Sequence, residues 1–197
     1  CHTRRQRQMC IRDRPYAMPV FFYAGIYFGL LAIHDQISDR VWTELAWSKD
    51  TVKWNRVEEG TPFIECSDNE LDYDYGCVYA CATPVFLDNE VRIFYGASDW
   101  LHTSWRNGSL SLATLRPDGF AGYEQVDKNL TATIVSSVLS LKDCLIKVTV
   151  DVESNGWVLA KLFNDSKEQV SVSSLTISCS NHILFCLLYT SPSPRDY

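Results

Sequence analysis

Two stretches of the chain share one pattern: MPVFFYAGIYFGLLAIHD at residues 18–35 and TPVFLDNEVRIFYGASD at residues 83–99. Each begins with Pro-Val-Phe, passes a turn, continues as an apolar aromatic run and ends in aspartate. The likeness continues downstream, where ELAWSKDTVKW (residues 44–54) is similar to SLATLRPDGFAGY (residues 111–123). Short strands repeated with turns between them are typical of β-propeller blades, which bury their faces against neighbouring blades. The repeat therefore predicts an all-β fold that contains about two blades, with upstream blades lying outside this chain.

The turns in these stretches carry their own predictions. The apolar run at residues 16–33 is long enough to be weighed as a membrane span. Its proline, its glycines and its many aromatic residues instead favour two buried strands joined by a tight turn at Ala24-Gly25. Asp118-Gly119 is a second tight-turn signal, and Asp50 in SKDTVKW is predicted to be a turn residue and not a catalyst. No membrane partner is expected.

Both ends of the chain differ in character from the rest. RRQRQMCIRDR (residues 4–14) and CLLYTSPSPRD (residues 186–196) resemble a matched pair of translated sequencing adapters, so residues 1–14 and 186–197 are interpreted as artefact. The alternative is a basic arm that binds nucleic acid. The whole chain has a net charge of −6, and without its arginine-rich start it is more acidic still. Such a chain repels phosphate backbones, and no nucleic-acid partner is predicted.

The cysteines do not predict a metal site. Cys77 and Cys81 lie in a stretch predicted as one strand, where four residues span about 13 Å. Two thiolates that far apart cannot share a zinc ion or a disulfide. We interpret both as buried structural cysteines, and the sequence predicts neither a metal nor a cofactor.

A second domain is predicted after the blades, which occupy residues 15–125. Three apolar segments at residues 130–141, 145–151 and 157–163 are predicted strands, with Ser154-Asn155-Gly156 as a hairpin turn between the last two. Residues 126–185 are therefore expected to form part of an antiparallel β-sandwich.

The strings VRIFYGASDWLH (residues 91–102) and LSLATLRPDGF (residues 110–120), followed by a β-rich tail, resemble the C-terminal half of five-bladed β-propeller proteins similar to glycoside hydrolase family 32. The resemblance implies hydrolysis of a glycosidic bond by two carboxylates. In that family the nucleophile lies on a first blade, which this chain lacks, and the acid lies in a Glu-Cys motif. Glu65-Cys66 matches the dipeptide but is expected in a polar inter-blade loop, so we interpret the match as coincidence.

Candidate site residues follow from the geometry of a propeller, whose ligand pocket lies at the axis near the start of each innermost strand. Residues 77–87 are predicted to be such a strand, and Asp72 and Asp74 precede it on one face. The candidate catalytic residues are Asp74, Asp72, Asp99 and Asp35. The candidate substrate-binding residues are Tyr73, Tyr75, His34, His102, Trp100 and Arg106. The alternatives are solvated loop carboxylates for Asp72 and hydrogen bonding at blade edges for Asp35 and Asp99.

Two functions are consistent with these features, and both have carbohydrate as the partner. The first is a glycoside hydrolase of the family 32 type, in which a carboxylate pair acts in the propeller pocket. The second is a non-catalytic propeller that binds glycans. Because a catalytic pair that is split by truncation cannot act, the chain by itself is expected to lack glycosidase activity.

Overall fold

The computed structural model describes residues 13–127, 129–136, 138, 144–152, 156–176 and 181–189. Over these residues the protein is all-β, as predicted, and contains no helix. In chain order the strands are β1 (Asp13–Ala17), β2 (Val20–Tyr23), β3 (Ile26–Asp35), β4 (Arg40–Ser48), β5 (Asn55–Arg56), β6 (Cys77–Ala80), β7 (Val85–Phe86), β8 (Val91–Ser98), β9 (Gly108–Leu115), β10 (Cys144–Val152), β11 (Trp157–Phe163), β12 (Gln169–Thr176) and β13 (Asn181–Tyr189). The chain divides into two compact units, Cys1–Val126 and Asp127–Tyr197.

The apolar run near the start forms a hairpin. Strands β2 and β3 pair antiparallel and are joined at Ala24 and Gly25, whose φ values are 51° and 83°. Two consecutive positive φ angles are the mark of a type I′ turn, which matches the twist of the strands that it joins. The predicted pair of strands is confirmed. No helix in the described part of the chain combines the length and the apolar character that a membrane crossing requires.

The first repeat continues as a meander of β2, β3, β4 and β5, each antiparallel to the next. The turn between β4 and β5 is organised by Asp50, whose Oδ1 accepts hydrogen bonds from the amides of Val52 (2.9 Å) and Lys53 (2.8 Å). This confirms Asp50 as a turn residue. Gly29 of β3 lies under the side chains of Met18 and Trp54, and a Cβ atom there would come within 2.7 Å of the Met18 sulfur and 3.0 Å of the Trp54 ring.

The second repeat is similar but has an interrupted first strand. Strands β6 and β7 both pair with β8, which in turn pairs with β9. The single strand predicted over residues 77–87 is therefore wrong: it breaks between β6 and β7, where Pro84 has no amide hydrogen to offer a neighbouring strand. Cys77 is buried as expected, but Cys81 lies past the end of β6 and is exposed.

The two repeats belong to one open, mixed sheet of nine strands. They are joined by a parallel bridge between Val41 of β4 and Cys77 of β6. The core is shared, because Leu30 and Leu45 of the first repeat pack with Val78 and Ile93 of the second.

The segment that follows β9 closes over this core. Asp118 has a positive φ of 60° in the predicted turn, and its carboxylate accepts a 2.6 Å hydrogen bond from the Tyr23 hydroxyl. Phe120 is buried and stacks on Phe28 with ring centroids 4.9 Å apart. The turn at residues 118–120 thus packs the end of the second repeat against the hairpin of β2 and β3.

The second unit differs from the sequence prediction in its pairing. Strand β10 pairs with β13, and β11 pairs with β12, in two separate two-stranded sheets. Among the described residues β10 and β11 are not paired with each other. Ser154 and Asn155 of the predicted turn lie outside the described residues. The observed hairpin turn follows β11, where the Asn164 side chain accepts from the amide of Glu168 at 2.8 Å. The described residues of the expected strand at 130–141 form no strand, and its remaining positions lie outside the described residues.

The predicted adapter segments lie mostly outside the described residues. Within the described part, β1 includes Asp13 and Arg14, and β13 includes residues 186–189. The structure therefore describes backbone pairing for six positions of those two segments and nothing of the others.

A close backbone approach joins the start of β6 to the loop after β8. A Cβ atom at Gly76 would lie 1.7 Å from the carbonyl oxygen of Trp100. The Gly76 amide also donates to the Ser98 carbonyl at 2.8 Å. Glycine is therefore required at position 76 because no other residue leaves room for the Trp100 backbone.

We expect Gly76→Ala to lower the free energy of unfolding by about 1–3 kcal/mol or more, because the backbone must move to accept the methyl group. The matched control is Gly96→Ala in β8, where a Cβ would meet nothing within 4 Å. The control should be neutral or slightly stabilising, since alanine suits a strand better than glycine. Urea unfolding of both variants measures the difference, and equal effects would show that the approach of Trp100 to Gly76 is wrong.

Candidate functional site

The candidate site forms where two turns from different repeats meet. The turn between β3 and β4 ends at Asp39, whose backbone has a positive φ of 57°. Aspartate tolerates this conformation better than most residues. The loop between β8 and β9 approaches it, and the His102 amide donates to the Asp39 carbonyl at 2.9 Å. This contact brings together residues that are more than sixty positions apart in the chain.

The Asp39 carboxylate holds the two turns together. Its Oδ2 accepts hydrogen bonds from the Thr103 amide (2.9 Å) and the Thr103 hydroxyl (2.6 Å), and its Oδ1 lies 3.0 Å from Nε2 of His34. Burial alone would raise the pKa of this carboxyl, but the hydrogen bonds from Thr103 and His34 outweigh it and lower the pKa to about 2. Asp39 is therefore ionised at neutral pH.

Two histidines lie side by side at this junction. The ring centroids of His34 and His102 are 4.4 Å apart, and Tyr16 meets the His102 ring edge-on at 5.0 Å. Burial lowers the pKa of His102, and the nearby His34 and Arg106 lower it further, so the ring is neutral at neutral pH. Its Nδ1 is buried and has no hydrogen-bond partner in the part of the chain that the structure describes.

The three side chains together form a cluster of possible metal ligands. One ligand atom from each of His34, Asp39 and His102 lies within 4.8 Å of the other two. Both histidines are substrate-binding candidates from the sequence, whereas Asp39 is not among the sequence candidates and no metal is predicted there. The available signal was a histidine close to the terminal aspartate of each repeat: His34 directly precedes Asp35, and His102 follows Asp99 by three residues. We call these three residues the His-Asp-His cluster.

The loop that carries His102 is shaped by Arg106. The guanidinium of Arg106 donates to the backbone carbonyl oxygens of Leu101, His102 and Ser104. An arginine that caps several carbonyls in one loop fixes the path of that loop. Arg106 thereby positions Trp105, which follows Ser104 on the surface.

An open cleft of about 630 Å³ lies beside the His-Asp-His cluster, against the ends of β6, β8 and β9. Its walls include Tyr79, Ser104, Trp105, Arg106, Ser109 and Leu110. Trp105 is 91% exposed. Tyr79 connects the cleft to the cluster, because its ring lies 5.9 Å from that of Tyr16, which in turn contacts His102. The surface is mostly apolar with a few polar groups, as is typical of ligand sites.

Two of the four candidate catalytic residues hold turns. Asp35 accepts hydrogen bonds from the amides of Ile37 (3.0 Å) and Ser38 (3.1 Å) and from the Ser38 hydroxyl (2.6 Å). Asp99 accepts from the Asn107 amide (2.8 Å) and side chain (2.7 Å), which lower the pKa of its carboxyl. The two aspartates occupy matched positions of the repeat, and each accepts hydrogen bonds from residues of the turn or loop that follows its strand. This favours hydrogen bonding at the strand ends over catalysis for both residues.

The other two candidates lie in a turn before β6. Asp72 accepts hydrogen bonds from the Ser67 hydroxyl (2.6 Å) and the Asn69 side chain (3.2 Å). Its carbonyl oxygen accepts from the Tyr75 amide at 3.0 Å, so residues 72–75 turn and do not alternate as a strand would. Asp74 is half-buried, and none of the described residues donates a hydrogen bond to its carboxylate. Of the four candidates, Asp74 alone is not occupied by turn contacts.

The candidate aromatic residues mostly contact each other. The rings of Tyr75 and Trp100 lie 5.8 Å apart, and the Arg40 guanidinium covers the Tyr75 ring at 4.7 Å. The Tyr73 hydroxyl lies 3.4 Å from the Tyr95 hydroxyl. Of the candidate binding residues, the structure brings together His34, His102 and Arg106 at the junction. Tyr75 and Trp100 contact each other, and Tyr73 contacts Tyr95.

One buried carboxylate was absent from the sequence predictions. Glu44 is fully buried in β4, where Trp42 and the Gly60 amide donate to its Oε1 and Arg56 donates to its Oε2 at 2.6 Å. A buried carboxylate whose two oxygens both accept hydrogen bonds in this way is a structural group. Glu65, the residue of the family-like dipeptide, is by contrast exposed in the loop between β5 and β6, as expected.

Cys66 offers a test of this region. Burial raises the pKa of the Cys66 thiol to about 11, although the nearby Arg40 opposes the rise, and the thiol lies 3.1 Å from the Val41 carbonyl. At pH 8 its thiolate fraction is on the order of 100-fold smaller than that of an ordinary thiol, and only the thiolate is nucleophilic. We therefore expect iodoacetamide at pH 8 to modify the exposed Cys81 much faster than Cys66, as measured by peptide mass spectrometry.

The difference between the two cysteines should disappear in denaturant, which is the control. It should also narrow as the pH is raised toward 11, because the Cys66 thiol then loses its proton. Equal modification rates in the folded chain at pH 8 would contradict the described burial of Cys66.

Comparisons of the chain with protein-family models, with curated proteins and with solved structures found no match. The assignment of function therefore depends on the site itself: the His-Asp-His cluster, the loop that Arg106 fixes and the cleft beside them. The resemblance to glycoside hydrolase family 32 depends on the quoted sequence motifs alone.

Proposed function

We propose that this chain is part of a carbohydrate-binding β-propeller similar to glycoside hydrolase family 32 and that it binds a sugar in the cleft beside β8 and β9. The observation that carries the proposal is the exposed indole of Trp105, which lines that cleft together with Arg106 and three serines, Ser98, Ser104 and Ser109. A sugar ring has an apolar face of C–H groups and a rim of hydroxyls. The cleft offers an aromatic surface for the first and polar groups for the second.

The propeller architecture in this proposal is supported by the two repeats. Strands β2, β3 and β4 form an antiparallel meander, and β7, β8 and β9 form a second one with the same order of motifs. Phe94 of β8 and Leu112 of β9 are directly paired, and both side chains are exposed. A sheet face with paired, exposed apolar residues is expected where another blade packs.

The β-sandwich in this proposal is supported by the pairing in the second unit. The hairpin of β11 and β12 lies between β10 and β13 in sequence, and the outer pair forms its own sheet. Two antiparallel sheets made from nested strand pairs are the minimum that a sandwich requires.

Binding is the function that the described carboxylates support better. Hydrolysis needs two carboxylates that face one scissile bond, about 5–5.5 Å apart for retention of configuration. Asp35, Asp72 and Asp99 are each occupied by hydrogen bonds within their own turns. Glycoside hydrolysis is kept as the second proposal, and Asp74, whose carboxylate is not engaged in a turn, is the observation that favours it.

The test is binding of immobilised oligosaccharides to the full chain, measured on a glycan array and then by titration calorimetry. We expect at least one glycan to be retained and Trp105→Ala to weaken its binding by roughly tenfold or more, because stacking on an exposed aromatic ring contributes on the order of 1–3 kcal/mol. The matched control is Tyr123→Ala, which removes an aromatic side chain that is 86% exposed and does not line the cleft.

The outcome decides between the candidate functions. Retention of no glycan, or equal retention by the Trp105→Ala variant and the parent, would contradict binding in this cleft. Turnover of an aryl glycoside that Asp74→Asn abolishes would instead favour the hydrolase.

A further inference from the structure

We propose that the His-Asp-His cluster binds one divalent transition-metal ion of the zinc type, which links the turn between β3 and β4 to the loop between β8 and β9. The inference goes beyond carbohydrate binding and does not depend on it. Two imidazoles and one carboxylate are a ligand set that zinc and its neighbours in the first transition row bind well.

The distances agree with a shared ion. Zinc lies about 2.0–2.2 Å from imidazole nitrogen and carboxylate oxygen, so two ligand atoms on one tetrahedral zinc are about 3.3 Å apart. The His34 Nε2 and the Asp39 Oδ1 are 3.0 Å apart. The ligand atom of His102 lies within 4.8 Å of both, a separation that a small rotation of the ring can close.

The unpartnered nitrogen of His102 is a second and independent observation. Its Nδ1 is buried without a hydrogen-bond partner among the described residues. Buried polar atoms in proteins are almost always paired, and an exception calls for an explanation such as an ion that the site holds. Coordination of the ring would supply that explanation.

The surroundings of Asp39 resemble those of a metal ligand. Its second oxygen accepts from both the amide and the hydroxyl of Thr103, which fixes the direction of the first. Ligands in metal sites are commonly oriented in this way by a second layer of hydrogen bonds. Arg106, which lies in the same loop as His102, donates to backbone carbonyl oxygens of that loop.

The position of the cluster suggests what the ion does. His34 and Asp39 belong to the first repeat and His102 to the second, so an ion bound by all three ties the repeats at one point. Because His102 and the cleft residues Trp105 and Arg106 share one loop, the same ion would hold the wall of the cleft in place. Three protein ligands leave at least one coordination position for water or for a ligand oxygen.

The test uses Co²⁺ as a spectroscopic substitute for zinc. The full chain is stripped with a chelator and titrated while visible absorption is recorded. We expect saturation at one equivalent, a visible band typical of nitrogen and oxygen ligands, no near-ultraviolet thiolate band, and displacement of the Co²⁺ by Zn²⁺. His34→Gln, His102→Gln and Asp39→Asn should each weaken uptake at least about tenfold. The matched control replaces both other histidines, with His2→Ala and His182→Ala, and should leave uptake unchanged.

A second measurement does not depend on how the variants fold. In the unsubstituted chain, one equivalent of Zn²⁺ should slow the modification of His34 and His102 by diethyl pyrocarbonate and leave the modification rates of His2 and His182 unchanged, as mapped by mass spectrometry. The proposal is overturned if Co²⁺ produces only a thiolate band, if all three ligand variants bind as the parent does, if no uptake occurs at millimolar Co²⁺, or if Zn²⁺ leaves His34 and His102 unprotected.

Discussion

The site depends on one interaction: the Asp39 carboxylate accepts hydrogen bonds from a loop more than sixty positions later in the chain. Its Oδ2 accepts hydrogen bonds from the Thr103 amide and hydroxyl, and its Oδ1 is hydrogen-bonded to Nε2 of His34. Beside this contact, the His102 amide donates to the Asp39 carbonyl at 2.9 Å, and the His102 ring lies against those of Tyr16 and His34. Both histidines, the arginine-capped loop and the cleft wall take their positions from this junction.

The same junction connects the proposed functions physically. A sugar that stacks on Trp105 would contact the loop between β8 and β9. Arg106 stabilises this loop by hydrogen bonds to the loop's own carbonyl oxygens, and Asp39 of the first repeat stabilises it by hydrogen bonds from Thr103. An ion in the His-Asp-His cluster would restrict that loop further, because one of its ligands, His102, belongs to the loop. Rigid loops lose less entropy on binding, so the geometry favours a preformed cleft over one that is assembled by the ligand.

Local features of the fold could be predicted from the sequence. Three such features depend on residues that are at most eight positions apart: the tight turn at Ala24-Gly25, the turn held by Asp50, and the turns held by Asp35 and Asp99. The last of these is visible twice in the sequence because Asp35 and Asp99 occupy matched positions of the repeat. Long-range features could not. Asp39 looks like any turn aspartate until Thr103 is brought beside it, and Glu44 is charged in sequence but buried once Arg56 pairs with it. The nested pairing of β10 to β13 likewise depends on partners outside the reach of a hairpin signal.

Amide hydrogen exchange at Thr103, followed by NMR, measures whether Asp39 holds the loop after β8 at the junction. We expect the Thr103 amide to be protected in the native chain and Asp39→Ala to reduce its protection to that of an exposed loop. Asp50→Ala, which removes the hydrogen bonds of the separate turn between β4 and β5, should leave it unchanged. The Val41 amide, which donates to the Gly76 carbonyl at 3.0 Å, should stay protected in both variants. A Thr103 amide that exchanges freely in the native chain, or whose protection survives Asp39→Ala, would contradict the account.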